Sequence, residues 1–432
     1  MTKKLWQKDT ELNKLVEQFT IGSDKKYDLL LAPYDVRASK AHAVMLEKCG
    51  LLNKADMKKL MPAFNAIARQ IEQGKFKIDA GVEDVHSQIE IQLTAAAGEA
   101  GKKIHLGRSR NDQVLTALKL YLKAELKDIS SRVQVLFDIF LDLSEKHKSI
   151  MLPGYTHFQI AMPSSFGLWL GAYAESLCDD MELVAAAFHI CNKNPLGSAA
   201  GYGSSFPIDR ELTTRLLGFE SLNVNSVYAQ MTRGKTEKAV AVALSAIAQT
   251  LGKFSYDVCL YMSQNFGFIS FPDELTTGSS IMPHKKNPDI FELVRGKCNL
   301  IQAVPNQLTL LTSNLPSGYH RDMQLTKETI FPAIAQLKEC LEIVSYTLPQ
   351  MRVNKDILKD KRYAYLYSVE AVNGLVKNGM PFREAYRIIG KDIANGKFAP
   401  QGKMRHTHTG SIHNPGTEQI RKNFSIVLRR LN

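Results

Sequence analysis

The segment from Thr277 to Pro288, TGSSIMPHKKNP, concentrates side chains that can take part in chemistry. Two adjacent hydroxyls, Ser279 and Ser280, are followed by an imidazole, two ammonium groups and a carboxamide, on His284, Lys285, Lys286 and Asn287. Pro288 is suited to open a helix, because the N–H that proline lacks is one that a first turn leaves unpaired. A loop that carries hydroxyls and cations onto a helix N-terminus is suited to an anion. On local composition alone, a polar surface loop fits equally well.

Three other places carry groups that could act with this loop. The segment GRSRND contains Arg108, Arg110, Asn111 and Asp112, where backbone donors and an arginine fork can hold a carboxylate, or where the arginines are simply solvated beside a helix cap. Thr156 and His157 lie in a loop bracketed by glycine and proline, and Glu292 follows Pro288 by one helical turn. A loop histidine on its own is more often a surface residue than a catalyst.

The segment YHRDMQLTK supplies Tyr319, Arg321, Gln324 and Lys327. Gln324 and Lys327 are three positions apart, so they can share one face of a helix, although an exposed helix start has the same pattern.

Hydroxyl, imidazole, carboxylate and cationic groups suit proton abstraction and anion stabilisation. The sequence contains no phosphate-binding glycine loop, nicotinamide fingerprint or cysteine quartet. His406, His408 and His413 have a spacing that a metal cluster could use, but they lie in a polar tail without an accompanying acid or cysteine. We therefore expect catalysis without a cofactor and without a metal.

Long helices must position these groups. From Asn111 to Leu143 apolar residues recur in steps of three and four, which predicts one helix of about 35 residues and roughly 50 Å. Four similar stretches follow: Pro163 to Cys191, Thr232 to Gln264, Pro288 to Asn314, and Leu325 to Leu348. Several are apolar on nearly every side, so we expect an all-α protein with an elongated five-helix bundle whose helices also pack against other subunits.

The predicted organisation has three domains. Residues 1–110 form an N-terminal helical domain, in which Asn53 caps a helix that ends near Gly74. Residues 111–350 form the central five-helix bundle with the catalytic loop. Residues 351–432 form a small helical C-terminal domain with a helix near Pro381 to Lys391. Strand signals are almost absent, and the connections between the long helices are expected to be functional loops.

Composition excludes several classes of protein. Of 432 residues, 44% are hydrophobic and 23% are charged, which are globular values. No apolar run approaches the roughly 18 residues of a membrane span, so we expect a soluble, cytoplasmic protein. Six scattered cysteines indicate neither disulfides nor a thiolate metal site. The net charge of +12 is spread along the chain, which favours an anionic small molecule over nucleic acid.

Several motifs resemble one enzyme family together and in order. GSSIMPHKKNP resembles the signature loop of the fumarase/aspartase superfamily. GRSRNDQ, GYTHFQ, YHRDMQLTK, EDVHSQIE and PFREAYRIIG resemble the argininosuccinate lyase family within it, so that the resemblance spans roughly residues 5–415. It implies a three-domain helical subunit whose central five-helix bundle associates into a homotetramer, with each active site built by three chains.

The resemblance also implies a reaction, the reversible elimination of fumarate from argininosuccinate to leave arginine. Ser279 matches the base that removes a proton next to a carboxylate, giving a doubly charged aci-carboxylate. Lys285 and Asn287 match groups that hold substrate carboxylate, and Lys285 would also stabilise the serine alkoxide. His157 matches the acid side of the reaction, polarised by Glu292.

Other positions match substrate-binding or site-lining residues of the family, namely Arg110, Asn111, Thr156, Tyr319, Gln324, Lys327, His86 and Asp84. The segment FTIGSDKKYD, which includes Ser23, resembles the family's serine-containing loop only loosely, and Ala38 stands where the family usually has glycine.

Three alternatives stay open on the sequence. A related lyase would release fumarate from a different amine, such as adenylosuccinate. A structural homologue without activity, like the lens δ-crystallins, would keep the fold alone. A nucleic-acid-binding role would follow from the basic charge.

Overall fold

The computed structural model describes residues 13–399, 404 and 406–431. These residues are mostly helical, which confirms the predicted all-α class. The helices, in chain order, are α1 (Lys14–Ile21), α2 (Asp24–Lys48), α3 (Lys54–Glu72), α4 (Val85–Ala97), α5 (Glu99–Lys102), α6 (Arg110–His147), α7 (Phe166–Cys191), α8 (Arg210–Leu217), α9 (Ser226–Met231), α10 (Lys235–Met262), α11 (Asp289–Leu311), α12 (Thr326–Thr347), α13 (Ser368–Lys377), α14 (Phe382–Ala394) and α15 (Thr417–Leu428).

The strands are few and short. They are β1 (Met151–Thr156), β2 (Gln159–Ser165), β3 (Lys193–Asn194), β4 (Ser221–Leu222), β5 (Ile269–Ser270) and β6 (Arg352–Val353). Within the described part of the chain they pair as three two-stranded sheets: β1 with β2 and β5 with β6 antiparallel, and β3 with β4 parallel.

The five predicted long helices are all present. Helix α6 has 38 residues, and α7, α10, α11 and α12 have 26, 28, 23 and 22. Their bounds agree with the apolar stretches to within a few residues, because a core-facing stripe repeated over so many turns leaves little freedom in where a helix runs. Helix α14 also lies where a C-terminal helix was predicted.

The chain forms two compact units. The first consists of residues 1–129, 183–245 and 300–336, and the second of residues 130–182, 246–299 and 337–432. Each of the five long helices contributes residues to both units. The division into sequence domains 1–110, 111–350 and 351–432 stays a prediction.

The first unit has a core built by α2, α3 and α4. Leu46, Leu60, Phe64 and Ile89 are all at most 1% exposed and belong to one apolar cluster. As predicted, Asn53 caps α3: its side chain accepts the Asp56 N–H, while the Asp56 carboxylate accepts the Asn53 N–H.

The second unit has an aromatic core. Phe140, Trp169, Tyr173 and Phe254 contact one another with ring centroids 4.9 to 6.2 Å apart. The indole N–H of Trp169 and the hydroxyl of Tyr173 both donate to Asp257, at 3.0 and 2.6 Å, so the polar edges of this core are satisfied.

The hairpin β1–β2 corrects the expectation of a loop at GYTHFQIAMP. Thr156 pairs with Gln159, and the two turn residues, His157 and Phe158, have φ angles of 54° and 56°. Positive φ at both positions is what a type I′ hairpin turn requires. The segment gives a poor strand signal because it contains prolines and a glycine, and the pairing is irregular between Pro153 and Tyr155. Consequently α7 begins at Phe166 and not at Pro163.

Two further properties concern the chain as described. No helix among the described residues is long and apolar enough to cross a membrane. All six cysteines are free, and four of them are buried.

Candidate active site

A polar cavity of about 580 Å³ lies in the first unit. Its walls come from the start of α2, the start of α4, the start of α6, and the segment that leads into α12. Seven of the residues predicted to bind substrate or line the site are among its lining residues: Asp84, His86, Arg110, Asn111, Tyr319, Gln324 and Lys327. Segments far apart in sequence therefore meet here.

Asp84 holds two of these segments together. It is the N-cap of α4, where its Oδ1 accepts the Ser87 N–H at 2.7 Å, and the same oxygen accepts from the Arg110 guanidinium at 2.6 Å. Burial would raise the pKa of Asp84, but the charge of Arg110 and the Ser87 hydrogen bonds outweigh it and hold that pKa below its usual value. Asp84 therefore stays ionised and fixes the orientation of the Arg110 guanidinium.

His86, on the first turn of α4, is only 1% exposed. Its Nδ1 lies 3.0 Å from Asp35 Oδ1, and Asp35 also accepts from the Gln113 amide at 2.9 Å. Both ring nitrogens are buried, and neither makes a hydrogen bond among the described residues, although Nδ1 lies within ion-pair distance of Asp35.

Lys327, at the start of α12, is bound by two carboxylates from α2. Its Nζ lies 2.6 Å from Asp24 and 2.5 Å from Asp28, and all three residues line the cavity. Burial, together with the neighbouring charge of Asp28, raises the pKa of Asp24 to about 6 against the lowering effect of Lys327.

Gln324 and Arg321 hold the end of α1. The Gln324 amide donates to the carbonyls of Thr20 and Ile21 at 3.1 and 3.2 Å, and Arg321 donates to the Thr20 carbonyl at 3.0 Å. Arg321 also bonds Glu83 at 2.9 Å. Cationic and N–H donors are favourable at a helix C-terminus, so this contact fixes α1 beside the cavity. Ser23, between α1 and α2, donates its hydroxyl to Glu328.

Sequence reasoning missed several lining residues, namely Asp24, Asp28, Glu83, Glu90, His105 and Arg233. The sequence did give an indication for Asp24 and Asp28. Two acids one helical turn apart on a helix need a cation nearby if they are buried. Arg233 bonds the fully buried Glu237 at 2.9 Å, a pairing that its spacing of four positions allows.

The six other predicted site residues lie in the second unit, and Ser279, Lys285 and Asn287 share the loop before α11. The loop is closed at its base by backbone hydrogen bonds between Thr277 and Asn287, and the Asn287 amide donates to Thr277 Oγ1 at 3.3 Å. Ser279 Oγ accepts the N–H groups of Met282 and Ile281 at 3.2 and 3.4 Å. Lys285 is exposed.

Thr156 and His157 lie at the tip of the β1–β2 hairpin, and Glu292 lies on the first turn of α11. All three side chains are exposed. Within the part of the chain that the structure describes, no hydrogen bond joins His157 to Glu292, so one chain does not form the predicted pair. The left-handed φ of His157 holds the imidazole at the very end of the hairpin.

The C-terminal histidines contact one another loosely. His406 Nε2 bonds Glu370 at 2.8 Å, and His413 Nδ1 lies 3.1 Å from the His406 carbonyl. Glu370, an acid that the local sequence did not indicate, comes from α13. Among residues 13–399, 404 and 406–431, no group of three or more His, Cys, Asp or Glu side chains is arranged to hold a metal ion.

Comparisons with known proteins agree on one family. A family described as Lyase matches residues 4–303. An argininosuccinate lyase of Phocaeicola vulgatus is 55% identical over 97% of this chain and 94% of its own length, and that of Bacteroides thetaiotaomicron is 54% identical over the same shares. Among solved structures, an EDDS lyase variant with bound fumarate superposes with a TM-score of 0.78, covering 96% of this chain and 89% of that one at 19% identity. The last similarity concerns the fold alone.

Proposed function

Because this chain belongs to the argininosuccinate lyase family, we propose that it catalyses the reversible elimination of fumarate from argininosuccinate, which leaves arginine. The observation that carries the proposal is the similarity to argininosuccinate lyases along nearly the whole chain. The cavity of the first unit supports it, since its alternating cations and carboxylates suit a substrate with carboxylate, ammonium and guanidinium groups.

The reaction breaks one C–N bond without an external oxidant or reductant. A base removes the proton from the carbon next to a carboxylate, and the electron pair spreads into that carboxylate. The pair then forms the double bond of fumarate as the C–N bond breaks, and the nitrogen of the leaving guanidine takes up a proton. The doubly charged intermediate is the species that the site has to stabilise.

We assign the base to Ser279. A serine hydroxyl is a weak base unless its alkoxide is stabilised. The two N–H groups that Ser279 Oγ accepts, from Met282 and Ile281, point at the atom that would carry the negative charge. The start of α11 adds the positive end of a helix dipole just after the loop.

Lys285 and Asn287 would hold substrate carboxylate from the same loop. Lys285 is exposed and available to an anion. The Asn287 amide bonds the base of the loop, so it positions the loop before substrate binds.

His157 and Glu292 would act on the leaving nitrogen as a polarised pair. Because both are exposed and unpaired with each other within one described chain, the proposal places His157 of one subunit beside Glu292 of another. A hairpin tip is a suitable carrier, since it extends a side chain away from its own unit.

An assembly of several chains is supported by helix α11. Leu293, Leu300 and Leu310 are 66 to 68% exposed, and Gly296 and Ala303 lie exposed between them along the helix. Large apolar and small residues at spacings of three, four and seven make a surface on which another helix can pack. We propose that copies of this chain associate through this face into a homotetramer with shared active sites in the cytoplasm.

The test is a substrate panel followed by ultraviolet absorbance, since the conjugated double bond of fumarate absorbs there. Purified protein is mixed separately with argininosuccinate, adenylosuccinate and aspartate. Fumarate release from argininosuccinate alone is the expected result. Release from adenylosuccinate alone would assign the chain to a related lyase, and no release from a folded oligomer would favour an inactive structural homologue.

A further inference from the structure

Phe158 combines two features that are unfavourable within one chain. It occupies the second central position of the β1–β2 turn with a φ angle of 56°, in the left-handed region that bulky side chains rarely adopt. It is also 71% exposed. A single exposed apolar residue is common on a protein surface, but glycine or asparagine would adopt this φ angle at a lower cost and without an exposed ring. Backbone strain that persists at a proposed active site indicates a function, here a contact that the single chain lacks.

The chain's own residues cover little of Phe158. It borders a cavity of about 400 Å³ in the second unit, whose walls include Tyr155, Phe266 and Tyr363. At 71% exposure, however, most of the residue lies outside that cavity. The tip of the hairpin therefore presents an apolar ring to the solvent, in the same turn as the imidazole of His157.

The hairpin tip needs support if it carries a catalytic group. Among the described residues its two strands pair only with each other, and their pairing is irregular between Pro153 and Tyr155. A two-stranded hairpin is only marginally stable by itself. Residues 156–160 are all exposed. Because a catalytic group has to be held within about 0.5 Å of its productive position, the tip requires a further contact.

The start of α11 carries a surface that complements the tip. Glu292, which the proposed function places beside His157 of another subunit, is followed by Leu293, which is 66% exposed. Leu293 also begins the apolar face of α11 through which copies of the chain are proposed to associate. The hairpin thus has an imidazole next to an apolar ring, and the helix has a carboxylate next to an apolar side chain. One approach of the two surfaces can form the polar pair and the apolar pair together.

We propose that Phe158 is a positioning residue, whose ring packs on Leu293 of the partner subunit and thereby holds His157 beside the partner subunit's Glu292. This inference rests on the proposed function and adds the contact that fixes the hairpin tip. Apolar surface removed from water at the contact offsets the strain of the turn. The ring itself takes no part in proton transfer, so its effect on the reaction acts through His157.

The first experiment locates the ring and does not depend on turnover. Phe158 is replaced by p-benzoylphenylalanine, which bonds to neighbouring C–H groups on ultraviolet irradiation. The purified oligomer is irradiated, run on a denaturing gel and digested for mass spectrometry. A covalent dimer that joins position 158 of one copy to residues 287–295 of another is the expected product. Cross-links confined to one chain, a dimer joined elsewhere, or no cross-link at all would overturn the proposal.

The matched control places the same amino acid at Phe382, a phenylalanine that is 52% exposed at the start of α14. This position is expected to give no cross-link to residues 287–295. The same cross-link from both positions would show that the reagent is unselective and would remove the support for the contact.

The second experiment measures steady-state kinetics with argininosuccinate. Phe158→Asn tolerates the left-handed turn but removes the ring, so kcat is expected to fall about 10-fold to 100-fold through misplacement of His157. KM is expected to stay within about threefold, because the groups assigned to substrate binding are unchanged. Phe158→Leu retains an apolar side chain and is expected to keep kcat within about threefold of wild type. Phe382→Asn, the same change at the control position, is expected to leave both constants unchanged.

A double variant separates positioning from a general structural role. If Phe158 acts only through His157, the variant His157→Asn with Phe158→Asn should have a kcat within about threefold of that of His157→Asn alone. Two losses that multiply would show that Phe158 supports the fold or the assembly independently, which overturns the positioning role.

The results also distinguish this inference from the proposed function. Wild type that turns over argininosuccinate, but gives no cross-link from position 158 to residues 287–295 of another copy, would refute this inference alone. Wild type that releases no fumarate would refute the proposed function, and the cross-link would then still establish the contact between the hairpin tip and α11.

Discussion

Lys119 gives a prediction about stability that follows directly from its surroundings. This lysine lies in the third turn of α6 and is completely buried. Its Nζ donates to Asn223 Oδ1 at 2.7 Å and to the Lys193 carbonyl at 3.3 Å, and neither acceptor carries a charge. Burial lowers the pKa of Lys119 from 10.5 to about 8, against the smaller raising effects of Cys191 and Glu237.

The sign of the pH effect follows from proton binding. Between about pH 8 and 10.5 the unfolded chain keeps a proton on Lys119 that the folded chain has lost. Stability therefore rises with pH across this window. At 1.36 kcal/mol for each pKa unit, the folded chain gains about 3 kcal/mol over the whole window and about 2 kcal/mol between pH 7 and 9.5.

The substitution Lys119→Met removes this titration. It also leaves the Asn223 and Lys193 oxygens without their donor, so the prediction concerns the pH dependence and not the absolute stability. The free energy of unfolding is measured in urea by tryptophan fluorescence, at equal protein concentration, for wild type and variant at pH 7 and 9.5. The difference in free energy of unfolding between wild type and variant is expected to change by about 2 kcal/mol from pH 7 to pH 9.5, in favour of wild type at the higher pH.

The matched control is Lys146→Met, which makes the same change at an exposed position of the same helix. The difference in free energy of unfolding between this control and wild type is expected to be the same at the two pH values. If the difference for Lys119→Met is also the same at both pH values, the conclusion that burial lowers the pKa of Lys119 is refuted.

Three further predictions concern the proposed reaction. Ser279→Ala is expected to lower turnover by about 10³-fold or more with the oligomer intact, because the bridge at the base of the loop involves Thr277 and Asn287; near-normal rates would remove Ser279 from the role of base. His157→Asn should keep the hairpin, since asparagine tolerates the left-handed turn, and reduce kcat by about 10²-fold to 10⁴-fold; a misfolded variant would instead support a structural role. Asp84→Asn keeps an N-cap residue but removes the charge that orients Arg110, so steady-state kinetics should show KM raised about 10-fold and kcat less affected; an unchanged KM would contradict that role.

The sequence predicted the long helices well because their signal is local and repeated. In α6 the apolar spacing is kept over 38 residues, so a single atypical position does not change the interpretation. The β1–β2 hairpin had no such signal. Its strands contain prolines, and its turn residues are His157 and Phe158, where the Asn-Gly pair typical of type I′ turns would have marked it.

The candidate site was predictable only where a motif marked it. Asp84, His86 and Arg110 stand in recognisable segments, and the structure places them around one cavity. The pairing of Lys327 with Asp28 joins residues 299 positions apart, so neither residue type nor spacing could indicate it. The second carboxylate beside Lys327, that of Asp24, likewise becomes apparent only in the folded chain.

The reverse reaction tests the central proposal most directly. Fumarate and arginine are incubated with the purified oligomer. The consumption of fumarate is followed by its ultraviolet absorbance, and the product is identified by its mass. A product whose mass is the sum of the two reactants, formed by wild type and not by Ser279→Ala, is the predicted result. Wild type that forms no adduct from arginine, but does form one from fumarate and another amine, would contradict the assignment of argininosuccinate as the substrate.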